Sequence, residues 1–402
     1  MTEPDARVAA NRSSEAMTEA GTYRRSLGLI ELVSLGVGGT VGSGIFVVPG
    51  IAAKLSGPGS LLAWFIVAIS ASCVLLSLSS VAYRFTSTSG FYTLFESVFG
   101  SRLAVPLILL YTVSSIFGVA TIAAGIGQYI SYFGPGPVLG IEIAVLAIFC
   151  GLNIAGIVFS GIAETVLTAL KIIPLILISL LLLPFIRPEN FIQSVPLTTT
   201  GLLATVMIVY WPFTGFEISA IPVEETRDPS LIRKSLILVM LTVVSLYLVL
   251  NIALVGSVGA EVLAASPAPI ATASMILFTH AGPVVAFIGI IAMLSAMNAY
   301  VVGTSRIIHS LSARFVVPGL MNLTRQGTPA VALVVSCGAS GLLLLASNHF
   351  EALATISVIT TLIPYIFFCI AAWILVPEPR PRIIALTGML STAAILILYF
   401  LL

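Results

Sequence analysis

Charged residues are scarce in this 402-residue chain. Asp, Glu, Lys and Arg together make up 8% of the sequence, whereas hydrophobic residues make up 58%. Soluble domains carry about 25% charged residues, so this composition excludes a soluble enzyme. The formal net charge of +1 also excludes a nucleic-acid partner, because no basic face is available to neutralise phosphates. Apolar sequence is abundant instead, with a mean hydropathy of +1.15, which indicates a polytopic membrane protein.

Cysteine and histidine are also rare, with four and three residues respectively. The cysteines, which are Cys73, Cys150, Cys337 and Cys369, all lie in apolar segments. In such segments a free cysteine behaves as a small buried hydrophobic residue, so we predict no disulfide and no redox role. The histidines show no metal-ligand spacing. We therefore predict no metal and no other cofactor.

Apolar segments long enough to cross a bilayer follow one another along the chain. A helix needs about 20 apolar residues to span the hydrocarbon core, and we predict about eleven such helices. Residues 1–26 are polar and lack the order of a cleaved signal peptide, which predicts a flexible N-terminal tail. The distribution of Lys and Arg among the loops predicts that this tail is cytoplasmic. The sequence thus predicts a multi-pass, all-α protein of the cell (plasma) membrane.

Two of the predicted spans are interrupted. The first break is the glycine-rich run from Gly36 to Phe46, and the second is the segment from Trp211 to Glu217. Lipid cannot satisfy the backbone groups that a break exposes, so such breaks survive only where they line a cavity. They fall in the first and sixth spans, which predicts two repeats of opposite topology around a binding site. The predicted organisation is a tail at 1–26, repeats at 27–186 and 187–378, and an additional C-terminal helix at 379–402.

The first break has the features of an anion site. Gly42, Ser43 and Gly44 allow a ligand to approach the backbone closely. The second half of the helix begins at this point and presents unpaired N–H groups together with the positive end of its dipole. We expect a substrate carboxylate to bind there. The alternative is that the glycines only allow close helix packing, as small residues do in membranes.

The second break has the features of a cation site. Pro212 removes a helical hydrogen bond and Gly215 loosens the turn, which leaves carbonyl groups near Trp211 and Thr214 free to accept hydrogen bonds. We expect these carbonyls to bind a substrate ammonium group. Together the two breaks predict a site for a zwitterion.

Three motifs carry a family resemblance. GTVGSGIFVVPG at the first break and GFEISAIPVEETRDP at the second resemble the first-helix and sixth-helix segments of the amino acid, polyamine and organocation (APC) permeases. The stretch from Ser305 to Pro318, followed by RQGTPAVAL, is similar to their connection between helices eight and nine. The resemblance covers nearly the whole chain. It implies the five-plus-five inverted-repeat fold of sodium-coupled amino acid transporters, alternating access, and the carbonyl of Thr40 as a further acceptor for the ammonium group.

Four side chains are similar to those of a narrower branch, the arginine/agmatine antiporters. By this resemblance Trp211 is a gate over the substrate, Glu217 and Tyr111 shape the pocket, and Tyr300 supplies an eighth-helix aromatic ring. The alternative for the aromatic residues is helix packing or anchoring at the membrane interface. Val119 departs from that branch, because it stands where the branch carries an asparagine that holds a guanidinium group.

Lys171 is the most informative ionisable residue, because a charge at the bilayer centre is costly and is normally kept for function. It stands where proton-coupled and sodium-independent amino acid permeases, which the chain also resembles, carry a lysine. Near the first break, its ammonium group would donate to backbone carbonyls in place of a sodium ion. The sequence leaves open whether Lys171 couples transport to protons or only braces the first helix.

Glu217 is a second ionisable group inside the membrane, and the sequence leaves three interpretations open. It is a proton carrier, a counter-charge for a cationic substrate, or a protonated carboxyl group bonded to a neighbouring helix. Glu142 and Glu164 are expected near the ends of spans, where a carboxylate is easily solvated.

These observations favour a sodium-independent secondary transporter of a neutral L-amino acid that works by alternating access, with proton coupling left open. The expected partners are the amino acid, the lipid bilayer and, with coupling, protons. An exchanger or exporter of cationic amino acids or polyamines is the alternative, favoured by Trp211, Glu217 and Tyr111. A channel or an intramembrane enzyme is disfavoured, because the sequence has no catalytic cluster and no symmetric filter motif. The oligomeric state cannot be predicted from these features.

Overall fold

The computed structural model of the protein describes residues 27–82, 90–156, 161–192, 197–217, 226–228, 230–315, 317 and 319–401. Helices dominate these ranges, and the β-pairing found in them is an isolated bridge between Leu27 and Thr226. The predicted cytoplasmic tail, residues 1–26, lies outside the described residues.

We number the α-helices of the described ranges in chain order. Their bounds are α1 Leu29–Thr40, α2 Ser43–Ser56, α3 Ser60–Val81, α4 Gly90–Phe99, α5 Ser101–Ser131, α6 Val138–Ile154, α7 Gly161–Leu182, α8 Thr199–Tyr210, α9 Ser230–Val258, α10 Ala260–Ala264, α11 Pro269–Ser274, α12 Ala281–Phe315, α13 Ala330–Ala346, α14 Phe350–Leu375 and α15 Pro379–Leu401. Short 3-10 turns lie at Gly57–Gly59, Leu183–Phe185, Pro188–Phe191 and Trp211–Phe213.

Within the described ranges, seven helical stretches are long and apolar enough to cross a membrane. They are Leu29–Val81, Ser101–Ser131, Ala163–Phe185, Ser230–Val258, Ala281–Ser312, Phe350–Leu375 and Pro379–Leu401. Three shorter apolar helices accompany them, at Val138–Ile154, Thr199–Phe213 and Ala330–Ala346. These helices confirm the all-α, polytopic membrane fold, whereas the count of about eleven crossings and the inverted repeat stay predictions.

The first predicted break lies between α1 and α2. Helix α1 ends at Thr40 and α2 begins at Ser43, so Val41 and Gly42 are not helical. Gly42 has φ −138° and ψ −141°, a conformation that no α-helix contains. The interruption is therefore confirmed, and it lies within the glycine-rich run from which it was predicted.

The second predicted break follows α8. Helix α8 ends at Tyr210 and continues as one 3-10 turn, Trp211–Phe213. Thr214 is then extended, with φ −83° and ψ 160°, and Gly215 has φ +93°, a left-handed conformation that favours glycine. This interruption is confirmed as well. The chain that continues it, residues 218–225, lies outside the described residues.

Helix packing places both breaks deep in the protein. Helix α1 packs against α7 and α9, and α2 packs against α8. Helix α5 contacts both α12 and α14. The C-terminal helix α15 packs against α3 and α14, and its Thr392 hydroxyl lies 3.5 Å from the Tyr210 hydroxyl at the end of α8. Long helices thus surround the two interrupted ones and hold them face to face.

Candidate functional site

The two breaks touch each other through their glycines. A Cβ atom on Gly44 would lie 2.6 Å from Cα of Pro212, so only glycine lets α2 approach the second break this closely. A Cβ atom on Gly215 would lie 2.9 Å from the carbonyl oxygen of Gly39. Close packing is therefore a role of both glycines, as the alternative interpretation of the glycine run proposed. The same packing brings the exposed backbone groups of the two breaks together.

The N-terminal end of α2 faces a small cavity. A helix leaves the N–H groups of its first turn without intrahelical partners, and in α2 these include Ser43 and Gly44. Both residues line a cavity of about 10 Å³ between the breaks. The N–H of Gly42 is different, because it donates to the carbonyl of Thr40 at 3.1 Å. The N–H of Gly42 is therefore engaged within the break, whereas Ser43 and Gly44 supply N–H groups of the first helical turn beside the cavity.

The carbonyl groups expected to bind an ammonium group are largely engaged. The carbonyl of Trp211 accepts from the N–H and the hydroxyl of Thr214, at 3.1 and 2.8 Å. The carbonyl of Thr40 accepts from the hydroxyl of Tyr247 at 3.1 Å and from the N–H of Gly42. A carbonyl oxygen has two lone pairs, so both acceptors already have their usual number of partners. The prediction of a free Trp211 carbonyl is wrong, because the 3-10 turn bonds it locally.

Two aromatic side chains divide the space around the breaks. The Trp211 and Tyr300 rings lie 6.0 Å apart, centroid to centroid, and are tilted by 50°. The indole N–H of Trp211 donates to the Ser43 hydroxyl at 3.3 Å. Trp211, Tyr300 and Thr214 line both the cavity between the breaks and a second cavity of about 20 Å³. These three side chains form the wall between the two cavities, and Trp211 and Tyr300 do lie together at the site.

Glu217 connects the second break to two long helices. Its carboxylate accepts from the hydroxyl of Tyr111 on α5 at 2.7 Å and from the hydroxyl of Tyr365 on α14 at 2.8 Å. It also accepts from the N–H of Gly215 at 3.1 Å. Glu217 is 3% exposed. The bonds to two neighbouring helices match that part of the third interpretation, but Glu217 accepts in all three hydrogen bonds, so they do not show the protonated carboxyl group of that interpretation.

Lys171 lies beside the first break and is 1% exposed. Its ammonium group donates to the carbonyl of Gly38 at 2.7 Å, in the last turn of α1, where carbonyls lack helical partners. It also lies 3.3 Å from the hydroxyl of Ser295 on α12. That hydroxyl is 3.5 Å from the carboxylate of Glu164 on α7. Lys171, Ser295 and Glu164 thus form a buried chain of polar groups behind the first break.

The two acidic residues expected near solvent are buried instead. Glu164 is 5% exposed and Glu142 is 1% exposed, so the expectation that both are easily solvated is wrong. Distance from a helix end along the sequence does not report how other helices cover that end. Glu142 packs against Gly127 of α5, and Glu164 packs against Gly38 of α1, where glycine leaves room for a carboxylate.

Sequence reasoning missed four residues that contact the site: Tyr247, Ser295, Tyr365 and Glu164. Tyr247, Ser295 and Tyr365 belong to helices far away in sequence, and no local pattern singles them out. Glu164 did carry a signal, because it precedes Lys171 by two helical turns and so shares its face of α7. In the described ranges, no three His, Cys, Asp or Glu side chains lie close enough together to hold a metal ion.

Comparisons with known proteins find related membrane transport proteins. The sequence model of the amino acid permease family matches residues 27–402. The chain is 27% identical over 371 residues to the inner membrane transport protein YbaT of Escherichia coli, covering 88% of this chain and 85% of YbaT. It is 25% identical to the branched-chain amino acid permease BcaP of Bacillus subtilis, covering 77% of this chain and 72% of BcaP. It is also 25% identical to the serine/threonine exchanger SteT of Bacillus subtilis, covering 89% of this chain and 85% of SteT.

These relatives are transport proteins, and the family match extends over both breaks and all the residues described above. The chain is accordingly a multi-pass membrane transport protein and not an enzyme. It belongs to the amino acid permease family.

Proposed function

We propose that this protein is a sodium-independent secondary transporter of a neutral L-amino acid in the cell membrane, with its N-terminus in the cytoplasm. The observation that carries the proposal is the bond from Lys171 on α7 to the Gly38 carbonyl of α1. A resident ammonium group there stabilises the unpaired carbonyls at the end of α1, which a bound sodium ion would otherwise do. The transporter therefore needs no sodium to assemble its site.

The substrate binds between the breaks as a zwitterion. Its carboxylate accepts from the N–H groups of Ser43 and Gly44, at the positive end of α2. Its ammonium group lies toward Thr40 and Thr214, which line the same cavity. Because the Thr40 carbonyl already accepts from Tyr247, the ammonium group competes with that hydroxyl. Binding therefore exchanges one donor for a stronger, charged one.

Transport proceeds by alternating access, with side chains of the second break as gates. The cavities on either side of Trp211 have volumes of about 10 and 20 Å³, and a single water occupies about 10–15 Å³ on this measure. An amino acid enters only when Trp211 and Tyr300 move apart. The bonds from Glu217 to Tyr111 and Tyr365 hold the second break against α5 and α14, and their release opens the path beyond it.

A neutral substrate is favoured over a cationic one. Glu217 is the acidic side chain lining the larger cavity, and three donors already occupy its carboxylate. Val119, which replaces a guanidinium-binding asparagine of the antiporter branch, is buried and apolar. Two relatives also carry names of neutral substrates, branched-chain amino acids for BcaP and serine and threonine for SteT. The second candidate, an exchanger or exporter of cationic amino acids or polyamines, is favoured by the resemblance of Trp211, Glu217 and Tyr111 to the antiporter branch.

Uptake into proteoliposomes tests this proposal. Purified protein is reconstituted, and uptake of labelled L-serine, L-alanine and L-leucine is measured in sodium and in choline buffers, each with and without an inward proton gradient. We expect uptake of at least one of them to be equal in both buffers and to resist competition by arginine and agmatine. A requirement for sodium, or complete competition by arginine, would overturn it. The proton gradient separates coupling by Lys171 from bracing, because only coupling makes uptake accumulate against a substrate gradient.

A further inference from the structure

The larger of the two cavities is lined by hydroxyl groups. It lies beyond the wall formed by Trp211 and Tyr300, and we call it the hydroxyl cavity. The serine and threonine residues that line it on α5, α12 and α14 are Ser114, Ser115, Thr304, Ser357 and Thr361. Each of these hydroxyl groups needs a hydrogen-bond partner when it is out of reach of water. The partners of these groups therefore indicate what the cavity accepts.

Most of the hydroxyl groups bond to the protein itself. Ser114 donates to the carbonyl of Ser357 at 2.9 Å, and Ser357 donates to the carbonyl of Ser114 at the same distance. Thr361 donates to the carbonyl of Ser357 at 2.8 Å and also contacts the Ser114 hydroxyl. Ser115 donates to the carbonyl of Tyr111 at 3.0 Å. The bonds between Ser114 and residues of α14 join the two helices, and all four of these hydroxyl groups have partners within the protein.

Thr304 on α12 is the exception. Its side chain is 1% exposed, and its hydroxyl group makes no hydrogen bond within the described part of the chain. It lines the hydroxyl cavity together with the bonded residues of α5 and α14. A buried hydroxyl group without a partner is destabilising, and it is retained in a binding cavity when a ligand supplies the missing bond.

We infer that the hydroxyl cavity receives the side chain of the substrate and that this side chain is small and carries a hydroxyl group, as in L-serine or L-threonine. The inference rests on the proposed function, since it places the substrate backbone between the breaks. From there the side chain extends past Trp211 and Tyr300, which border both cavities. A substrate hydroxyl group bonds to Thr304, whereas an aliphatic side chain of the same shape leaves Thr304 without a partner.

L-Threonine and L-valine provide the test, because they have the same shape and differ by a hydroxyl group in place of a methyl group. We expect the wild-type protein in proteoliposomes to take up L-threonine with a kcat/KM at least about tenfold above that for L-valine, since a site built to bond a hydroxyl group rejects the analogue that lacks it. In Thr304→Val this ratio should fall to near one, mainly by loss of L-threonine uptake. In Thr304→Ser it should be retained.

The matched control is Thr112→Val on α5. Thr112 is buried, its hydroxyl donates to the carbonyl of Ile108, and it does not line the hydroxyl cavity. This change should leave the preference for L-threonine intact. Equal uptake of L-threonine and L-valine by the wild-type protein would overturn the inference, as would Thr304→Val lowering both to the same extent.

The outcomes separate this inference from the proposed function. Sodium-independent uptake that prefers L-valine or L-leucine would contradict the inference and leave the proposed function intact. Uptake confined to arginine or agmatine would contradict the proposed function as well. The comparison of L-threonine with L-valine in the wild-type protein decides the matter even when Thr304→Val does not fold.

Discussion

Both breaks expose backbone groups that lack helical partners, and a side chain of opposite charge bonds to them in each. At the first break, carbonyls at the end of α1 lack helical partners, and a cation, Lys171, reaches them from α7. At the second break, the N–H of Gly215 lacks a helical partner, and an anion, Glu217, accepts it from within the same segment. The first break is thereby tied to α7 and α12, and the second to α5 and α14. The difference teaches that the charged side chain at each break bonds to a different pair of helices.

The largest effect should come from Lys171→Met. This change removes the donor to the Gly38 carbonyl and the positive charge that Ser295 links to the buried carboxylate of Glu164, and the loss of a compensating charge inside a protein is destabilising. We expect loss of uptake in proteoliposomes and a lower apparent unfolding temperature in detergent. Adding Glu164→Gln should restore part of the stability but not the uptake.

The control for the lysine change is Lys54→Met, because Lys54 is exposed on α2. It should leave uptake and unfolding temperature unchanged. Uptake at the wild-type rate in Lys171→Met would show that the first break needs no cation, and the contrast between the breaks would disappear.

Gly44→Ala tests whether the breaks must touch. The new Cβ atom would lie 2.6 Å from backbone of Pro212, which cannot move aside as a side chain does. Overpacking of this kind costs about 1–3 kcal/mol, and it also displaces the amide groups proposed to bind the carboxylate. We expect a large rise in KM for the amino acid.

The matched variant is Gly338→Ala on α13, where an added Cβ atom meets no atom within 4 Å. Its KM should equal that of the wild-type protein. Equal KM values in both alanine variants would mean that the carboxylate does not bind at the first break.

Glu217→Gln tests the anion of the second break. Glutamine keeps one acceptor oxygen and replaces the other with an amide NH2 group, so it faces donors that it cannot bond. Each buried donor left without a partner costs about 1–3 kcal/mol. We expect slower uptake with a modest change in KM, since in the proposed mechanism Glu217 holds the gate and does not contact the substrate backbone. Tyr365→Phe, which removes one of the three bonds to Glu217, should show the same effect at smaller size. A rise in KM for Glu217→Gln with no change in kcat would indicate that Glu217 binds the substrate directly.

The smallest effect is expected for Tyr247→Phe. This change removes the hydroxyl group that bonds the Thr40 carbonyl and therefore frees an acceptor for the substrate ammonium group. A neutral hydrogen bond contributes about 0.5–1.5 kcal/mol, so we expect affinity for the amino acid to rise a few-fold in a thermal-shift titration. Weaker binding in Tyr247→Phe would instead place the Tyr247 hydroxyl on the substrate.

The positions of the breaks could be predicted because they depend on local chemistry. Pro212 cannot donate a helical bond, and the glycines around Gly42 weaken a helix wherever they occur. The closeness of Lys171 to the first break was expected from the resemblance to permeases that carry a lysine at this position, since a charge inside the membrane is normally kept for function. The free carbonyl of Trp211 was a wrong prediction, since a 3-10 turn after α8 satisfies it with Thr214.

The sequence by itself determined the membrane fold, the two interruptions and the charged residues near them, because hydropathy, proline and glycine act over a few residues. Only the tertiary structure decided which groups complete the site. Three of these groups lie far along the chain from the residues that they join. Ser295 and Thr304 are more than a hundred residues from Lys171, and Tyr365 is more than a hundred residues from both Lys171 and Glu217. Their contacts depend on how long helices cross, and hydropathy alone sets no crossing angle. Whether each hydroxyl group is bonded or left for a ligand is therefore a property of the packed molecule.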